Sequence, residues 1–172
     1  MWVKKGLIYN VNGDQFWNKS HAQVPVVDIF PKFFRIYYAT RDAEGRSNIS
    51  YIEVRKDNPK EIIFESKTVL LNFGEIGSFD DSGLMPSSIV NVGKKKYLYY
   101  IGWTTRKTVP YHNSIGLAIS EDGGRTFYKF SKGPIITVNH IEPFFSGTSY
   151  VIQDGGFFKM WYLSCIKWEI YN

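Results

Sequence analysis

Four ionisable side chains stand just before, or at the start of, segments rich in apolar and β-branched residues. They are His21, Asp80, Asp81 and Glu142. Carboxyl and imidazole groups are the side chains that most often transfer protons in general acid–base catalysis. The sequence contains no glycine-rich phosphate loop, no Ser-His-Asp order and no cluster with metal-ligand spacing. We therefore expect proton-transfer chemistry that uses neither a metal nor a cofactor.

An internal repeat organises the elements that must position these groups. Pairs of aromatic residues recur at intervals of 62 residues, as Tyr37-Tyr38, Tyr99-Tyr100 and Trp161-Tyr162. Four short antiparallel strands in about 60 residues are the size of a long β-propeller blade. A sandwich of about twelve strands is the alternative architecture, but it does not explain two equal intervals.

The composition favours strands throughout, because 17% of the residues are aromatic and no stretch has apolar residues at helical spacing. Residues 1–20 are interpreted as a short opening strand and a loop. Residues 106–113 read as an unusually long loop, and the Asp-Gly-Gly sequence at 122–124 as a tight hairpin turn. The sequence predicts a single all-β domain over 1–172, with units at about 20–75, 80–137 and 142–172. Strands are predicted at 22–28, 33–40, 48–54, 62–64, 85–91, 96–104, 114–120, 148–152 and 157–164.

Charge and cysteine content argue against several classes of protein. The net charge is +5, but the Lys and Arg residues are scattered beside turns, which indicates a solvated surface and no nucleic-acid partner. Cys165 is the single cysteine, so no disulfide framework or thiolate pair is expected. No signal peptide or membrane-length apolar run is present, so we expect a cytoplasmic protein that does not contact a membrane.

Six segments carry a resemblance to a known family. They are Ser20-His-Ala-Gln-Val-Pro25, Tyr37-Tyr-Ala-Thr-Arg-Asp42, Gly77-Ser-Phe-Asp-Asp-Ser-Gly83, Tyr99-Tyr-Ile-Gly-Trp103, Ile115-Gly-Leu-Ala-Ile-Ser-Glu-Asp-Gly-Gly124 and Glu142-Pro143. They resemble segments of the five-bladed β-propeller glycoside hydrolases, a group that includes arabinanases, fructosidases and neoagarobiose hydrolases, and the resemblance covers nearly the whole chain. It implies a partial propeller whose blades each place their first strand along a central channel, and a carbohydrate substrate. Residues 120–127 also look like the Asp-box hairpin of sialidase-type propellers, which is a structural turn.

The chain departs from this group in length, because five blades need about 300 residues and the sequence has 172. It therefore supplies about two and a half to three four-stranded blades. Two explanations are open. Either the sequence is truncated, or two copies associate as a homo-oligomer that covers the open blade edges.

The resemblance implies a pair of catalytic carboxyl groups. Glycoside hydrolysis needs one group to protonate the leaving oxygen and a second to act as base or nucleophile. Glu142 has apolar neighbours that we expect to raise its pKa, which suits the acid, and Asp80 is assigned as the base. Asp81 and His21 are further catalytic candidates. Each has an alternative interpretation: an Asx turn for either aspartate, a solvated loop for Glu142 and a hydrogen-bonding channel residue for His21.

A second set of residues could bind the sugar. Arg41 suits a sugar hydroxyl or an anionic substituent and Asp42 could orient it, although both could belong to a surface turn. The aromatic rings could equally pack in the core. The leading hypothesis is a glycoside hydrolase-like protein, and the alternative is a non-catalytic carbohydrate-binding or structural half-propeller. The remaining candidates are Trp103, Trp168, Tyr111 and His112.

Overall fold

The computed structural model describes residues 1–170, which form ten β-strands and no helix. The predicted all-β class and partial propeller are confirmed. Four strands each make blade 1 and blade 2, and two strands make the incomplete blade 3. Residues 171–172 of the predicted third unit lie outside the described residues. The strands are β1 (Ser20–Ile29), β2 (Phe33–Arg41), β3 (Ser47–Arg55) and β4 (Ile62–Glu65) in blade 1, β5 (Gly83–Val92), β6 (Lys95–Thr105), β7 (Tyr111–Ser120) and β8 (Tyr128–Lys129) in blade 2, and β9 (Ser146–Asp154) and β10 (Phe157–Ser164) in blade 3.

Consecutive strands of a blade pair antiparallel, as the short turns between them require. Blade 1 joins blade 2 through a single parallel bridge, between Ser47 and Gly83. Among the first strands, β5 packs against both β1 and β9. The hairpin pairings and the parallel bridge give β1 and β5 the same direction. The contacts of Ser87 with Ser149 and of Ser88 with Val151 give β9 that direction too, so all three strands begin at the same end of the molecule. Within the described residues, no helix is long and apolar enough to cross a membrane.

The main core lies between blade 1 and blade 2. Alternate residues of each strand point to one face of its sheet, so the facing sides of the two blades supply the core. Burial of each large side chain there contributes about 1.5–3 kcal/mol. The fully buried members of this core include Tyr37, Ile49, Leu84, Leu98 and Tyr100.

The opposite face of blade 1 is covered by the N-terminal segment. Tyr9 and Val11 pack against Tyr38 and Ile52. The Tyr9 hydroxyl donates a hydrogen bond of 2.7 Å to Glu65. The predicted opening strand is wrong, because residues 1–19 make no strand and form only an isolated bridge between residues 15 and 18. This segment is held by side-chain packing instead of a backbone ladder.

Blade 3 is attached to blade 2 by serine hydroxyls. Ser87 of β5 donates to the carbonyl of Ser149 in β9 over 2.9 Å. The neighbouring Ser88 accepts a hydrogen bond of 3.1 Å from the backbone N–H of Val151. Ser87 and Ser149 are 62 residues apart, which is the interval of the aromatic repeat. The side chains thus replace the backbone ladder that adjacent inner strands lack.

The Asp-Gly-Gly turn of blade 2 docks onto blade 1. The Asp122 carboxylate accepts hydrogen bonds from the backbone N–H groups of Arg125 and Thr126 and fixes the turn. The Tyr37 hydroxyl then donates to the carbonyl of Gly124 over 2.8 Å, deep in the blade interface. The resemblance to a structural Asp-box hairpin is therefore matched by a local bonding pattern that joins two blades.

Candidate functional site at the mouth of the inner strands

The mouth is defined here as the end of the molecule where β1, β5 and β9 begin. It comprises Ser20 and His21, residues 81–83, residues 142–146, the last residues of β2 and β6, and the first residues of β7. Bulges interrupt the ladders of β1 near Gln23 and of β5 near Ser88. Three non-glycine residues on β1 and β9 have positive φ, namely His21, Val24 and Thr148. Bulges and such backbone conformations concentrate at functional sites.

Asp80 does not face the mouth. Its side chain is 1% exposed, with the Lys129 ammonium 2.6 Å from Oδ2. Tyr100 donates to the same oxygen over 3.0 Å, and Ser78 donates to Oδ1 over 3.1 Å. These donors bind the carboxylate to β6 and β8 of blade 2 and to the loop before β5. The geometry therefore argues against the predicted role of Asp80 as a base in direct contact with substrate.

Asp81 is half-buried at the beginning of β5. Its Oδ2 accepts from the backbone N–H of Gly77 over 2.9 Å, and its Oδ1 accepts from the Ser82 hydroxyl over 2.7 Å. Ser82 is tied in turn to β6, because its backbone N–H donates to the carbonyl of Trp103 over 3.1 Å. The bond to Gly77 is a turn contact of the kind expected for the alternative interpretation. Asp81 nevertheless stands at the mouth, unlike Asp80.

Glu142 is half-buried four residues before β9 begins. Tyr162 donates to Oε2 over 2.8 Å and the Asn139 amide donates over 3.3 Å. Hydrogen bonds from the side chains of Ser164, Tyr162 and Asn139 lower the pKa of Glu142. The prediction of a raised pKa is wrong, because polar donors and not the apolar neighbours surround the carboxylate.

His21 is the second residue of β1, and its side chain is exposed. Its Nδ1 lies 2.8 Å from the hydroxyl of Ser20. No carboxyl group contacts the ring among the described residues. The structure therefore places His21 at the mouth but does not pair it with Asp80 or Glu142.

A cleft of about 260 Å³ opens where the end of β6 meets the beginning of β7. In its wall, the indole N–H of Trp103 donates to the Ser47 hydroxyl over 2.6 Å. The Arg41 guanidinium lies over the Trp103 ring, 5.3 Å from the ring centre. Of the predicted sugar-binding residues, Arg41, Trp103 and Tyr111 thus come together. The cleft is lined by Arg41, Met85, Trp103, Pro110, Tyr111 and Asn113.

Asp42 turns away from this cleft. Its carboxylate is buried and accepts from the backbone N–H and the Nε of Arg46, each over 2.8 Å. It does not orient Arg41, as the sequence had suggested. Arg41 instead donates from Nη1 to the carbonyl of Gly45 over 2.7 Å.

Tyr111 and His112 lie in β7 and not in a long loop, so the predicted loop at 106–113 is too long. Tyr111 packs on Trp168 and Phe145, with ring centres 5.4 and 5.9 Å away. His112 points to the other face of the blade, where it lines a second cleft with Arg106. Burial and the charge of Arg106 lower the pKa of His112.

Sequence reasoning missed Asn113 and Lys129. The Oδ1 atom of Asn113 is buried at the cleft wall without a hydrogen-bond partner. Its position directly after Tyr111 and His112 was the available signal. Lys129 gave no signal, since it reaches Asp80 from a two-residue strand far along the chain. Among the described residues, no three His, Cys, Asp or Glu side chains are grouped to hold a metal ion.

Two curated relatives match nearly all of the chain. No protein-family model matches it. The uncharacterized proteins MT1551 and Rv1502, from two strains of Mycobacterium tuberculosis, are each 39% identical over 168 residues, or 97% of this chain. The chain spans 56% of the length of each.

Solved structures of glycoside hydrolases share the fold. Zg3597, a family 117 glycoside hydrolase of Zobellia galactanivorans, superposes with a TM-score of 0.56 at 19% identity, over 87% of this chain and 45% of that protein. A second glycoside hydrolase superposes with a TM-score of 0.61 at 16% identity, over 89% of this chain and 44% of that protein. The chain therefore has the fold of part of a glycoside hydrolase propeller.

Proposed function

We propose that the chain is a glycoside hydrolase-like protein that binds an oligo- or polysaccharide at the mouth and acts on its glycosidic bond. The observation that carries this proposal is the cleft at the beginning of the inner strands. There a hydrogen-bonded indole, an arginine and a tyrosine line a concave surface, and the half-buried Asp81 and Glu142 belong to the segments that lead into β5 and β9. Aromatic rings suit the apolar faces of sugar rings, and the polar groups suit hydroxyls.

We assign the reacting groups by whether their carboxyl groups are exposed enough to meet a substrate. Glycoside hydrolysis uses one carboxylic acid and one carboxylate on opposite sides of the scissile bond. Glu142 has a lowered pKa, so it suits the carboxylate that acts as base or nucleophile. Asp81 is the half-buried carboxyl group at the neighbouring inner strand, and we assign it as the partner. Asp80 is assigned a positioning role, since its contacts hold the loop that carries Asp81.

The test is turnover of a panel of aryl glycosides and oligosaccharides. Glu142→Gln and Asp81→Asn should each lower turnover at least about a hundredfold, the lower range for loss of a proton-transfer group, while sugar binding persists. Glu121→Gln is the matched control, because Glu121 is an exposed carboxylate paired with Lys95. Unchanged turnover in both mouth variants would refute the assignment of Asp81 and Glu142.

A non-catalytic carbohydrate-binding or structural role is the second candidate. It is favoured by the turn contacts of Asp81 and by the lowered pKa of Glu142, because neither group then resembles a general acid. Binding on a glycan array without hydrolysis of any bound sugar would support this role. Release of a reducing end from any bound glycan would exclude it.

We further propose that a second copy of the chain covers the open face of blade 3. Trp161, Leu163 and Tyr150 are exposed there, beside the edge of β10 that has no strand partner within residues 1–170. Contiguous apolar surface of this kind marks an interaction site. Light scattering at micromolar concentration should give a dimer, and Trp161→Glu should convert it to a monomer. A wild-type monomer would exclude the second copy.

A further inference from the structure

We infer that the sugar bound in the mouth cleft carries a carboxylate, as in a hexuronate residue, and that Arg41 binds this group. The inference rests on the proposed carbohydrate site. It names the class of substrate that the site prefers and a residue that selects it.

The Arg41 guanidinium is fixed but incompletely bonded. One face lies over Trp103, and Nη1 donates to the Gly45 carbonyl. Its Nε and Nη2 groups have no hydrogen-bond partner in residues 1–170. These two groups form the edge of the guanidinium that presents two parallel donors, and that edge matches the two oxygens of a carboxylate.

Arg41 differs from its neighbours in having no acidic partner within the described chain. Arg35 pairs with Glu53, Arg46 pairs with Asp42, and Arg55 pairs with Asp57. All three use side chains of blade 1 to neutralise their charge. Arg41 belongs to the same blade, yet no acidic side chain in residues 1–170 neutralises its charge.

The rest of the cleft fits a sugar ring and lacks negative charge. No Asp or Glu belongs to its six lining residues. Asn113 also lines the cleft, and its amide group is a hydrogen-bond donor that suits a sugar hydroxyl. The Trp103 ring offers an edge for the apolar face of the sugar beside the cation.

A charged ligand is favoured over a neutral one on energetic grounds. Hydrogen bonds between a guanidinium and a carboxylate are about twice as strong as those between neutral groups. A neutral hydroxyl can occupy only one of the two free donors at a time. A carboxylate occupies both and also neutralises the charge, so the acid form of a sugar should bind more tightly than its neutral counterpart.

The experiment compares matched acidic and neutral oligosaccharides by calorimetry. Trimers of galacturonate, glucuronate and mannuronate are titrated beside trimers of galactose, glucose and mannose, with a sulfated galactose trimer as a third arm. At least one hexuronate should bind about tenfold more tightly than its neutral counterpart. Arg41→Gln should abolish that preference, and Arg41→Lys should retain part of it, because it keeps the charge and loses the paired donors.

Arg55→Gln is the control for net charge. It removes the same charge from an exposed arginine that pairs with Asp57 and Glu61, and it should leave the preference intact. Circular dichroism and thermal melting check that both variants fold.

Each further outcome has a separate meaning. Equal binding of acidic and neutral trimers would overturn the inference and leave the proposed carbohydrate site standing. Preference for the sulfated trimer over every hexuronate would overturn the carboxylate assignment. Equal losses in Arg41→Gln and Arg55→Gln would show unspecific attraction and overturn the role of Arg41. Failure of all trimers to bind would overturn the proposed function together with the inference.

Discussion

Blade 2 and blade 3 contain the same hairpin in two different surroundings. Tyr99 and Tyr100 of β6 are 5% and 0% exposed, whereas Trp161 and Tyr162 of β10 are 57% and 37% exposed. The two pairs occupy corresponding places in the 62-residue repeat. Both hairpins keep an antiparallel ladder and end in a short turn. Pairing within a hairpin thus depends on local sequence, and burial depends on what packs against it.

The source of the difference is the neighbouring blade. Blade 2 has blade 1 on one side and β9 on the other, so both faces of β6 contribute to a core. Blade 3 contacts blade 2 on one face only, through Val151 and Met160. The aromatic-rich strand β6 is buried in blade 2 because both of its faces are covered. The similarly aromatic-rich β10 leaves a large apolar surface exposed in blade 3.

The largest expected difference in stability is between substitutions in the two aromatic pairs. Tyr100→Ala should lower the free energy of unfolding by about 3–5 kcal/mol, because it opens a cavity in the main core. In the monomer, Trp161→Ala should cost less than about 1 kcal/mol, because its side chain is then largely in solvent. Urea denaturation measures both, at protein concentrations low enough for light scattering to show a monomer. A cost of several kcal/mol for Trp161→Ala under those conditions would contradict the comparison between the two aromatic pairs.

The acidic residues of the repeat provide the next comparison, since Asp80 and Glu142 are also 62 residues apart. Asp80→Asn should cost about 3 kcal/mol, because it leaves the partly buried Lys129 without its counter-charge. The double variant with Lys129→Met should recover part of that loss. Glu142→Gln should change stability by less than about 0.5 kcal/mol. Equal costs for Asp80→Asn and Glu142→Gln in chemical denaturation would contradict the positioning role of Asp80.

Substitutions in the two Asp-Gly-Gly turns should give a smaller difference in stability. Gly124 and Gly156 have φ angles of +87° and +86°, so alanine costs about 1–2 kcal/mol at either site. At Gly124 the added Cβ would also lie 2.3 Å from the Tyr37 hydroxyl, whereas nothing lies within 4 Å at Gly156. Gly124→Ala should therefore be the more destabilising by about 2 kcal/mol. Thermal melts that show equal shifts would contradict the docking of this turn onto blade 1.

The smallest effect is on the acidity of Glu142. Its pKa in the folded protein lies below the usual 4.5, so the stabilisation is present above that value and is lost as pH falls through the lowered pKa. Tyr162→Phe removes one donor and should move the pKa of Glu142 upward. Titration by carbon-detected NMR measures the change, with Tyr150→Phe as the control. A pKa that does not move would show that Tyr162 contributes nothing.

The strands were predictable because their local signals agree with the global fold. Alternating aromatic and β-branched residues mark β2 and β6, and the Asp-Gly-Gly sequences mark the hairpin turns. The predicted strand bounds differ from the observed ones by one to three residues in most cases. The beginning of β7 was missed because Val109 and Pro110 suggest a loop, although the chain pairs again from Tyr111.

The candidate site was only partly predictable, because its geometry depends on contacts between distant segments. Alignment of the repeats placed Asp80 and Glu142 at corresponding positions. It could not show that Lys129 and Tyr100 enclose one of them while Tyr162 bonds the other. Arg41 and Trp103 were found because each lies at or near the end of the second strand of its blade. The cytoplasmic location and the absence of other partners stay predictions.

The docked turn of blade 2 also has a consequence for synthesis of the chain. Tyr37 belongs to blade 1, but its hydroxyl finds its acceptor at Gly124, 87 residues later. During translation, blade 1 therefore leaves the ribosome with this hydroxyl open to water and with the face that blade 2 will cover still exposed. It reaches its final packing only when most of blade 2 has been made. Successive blades thus stabilise in overlapping pairs, and a pause before residue 124 would prolong the lifetime of an exposed sheet.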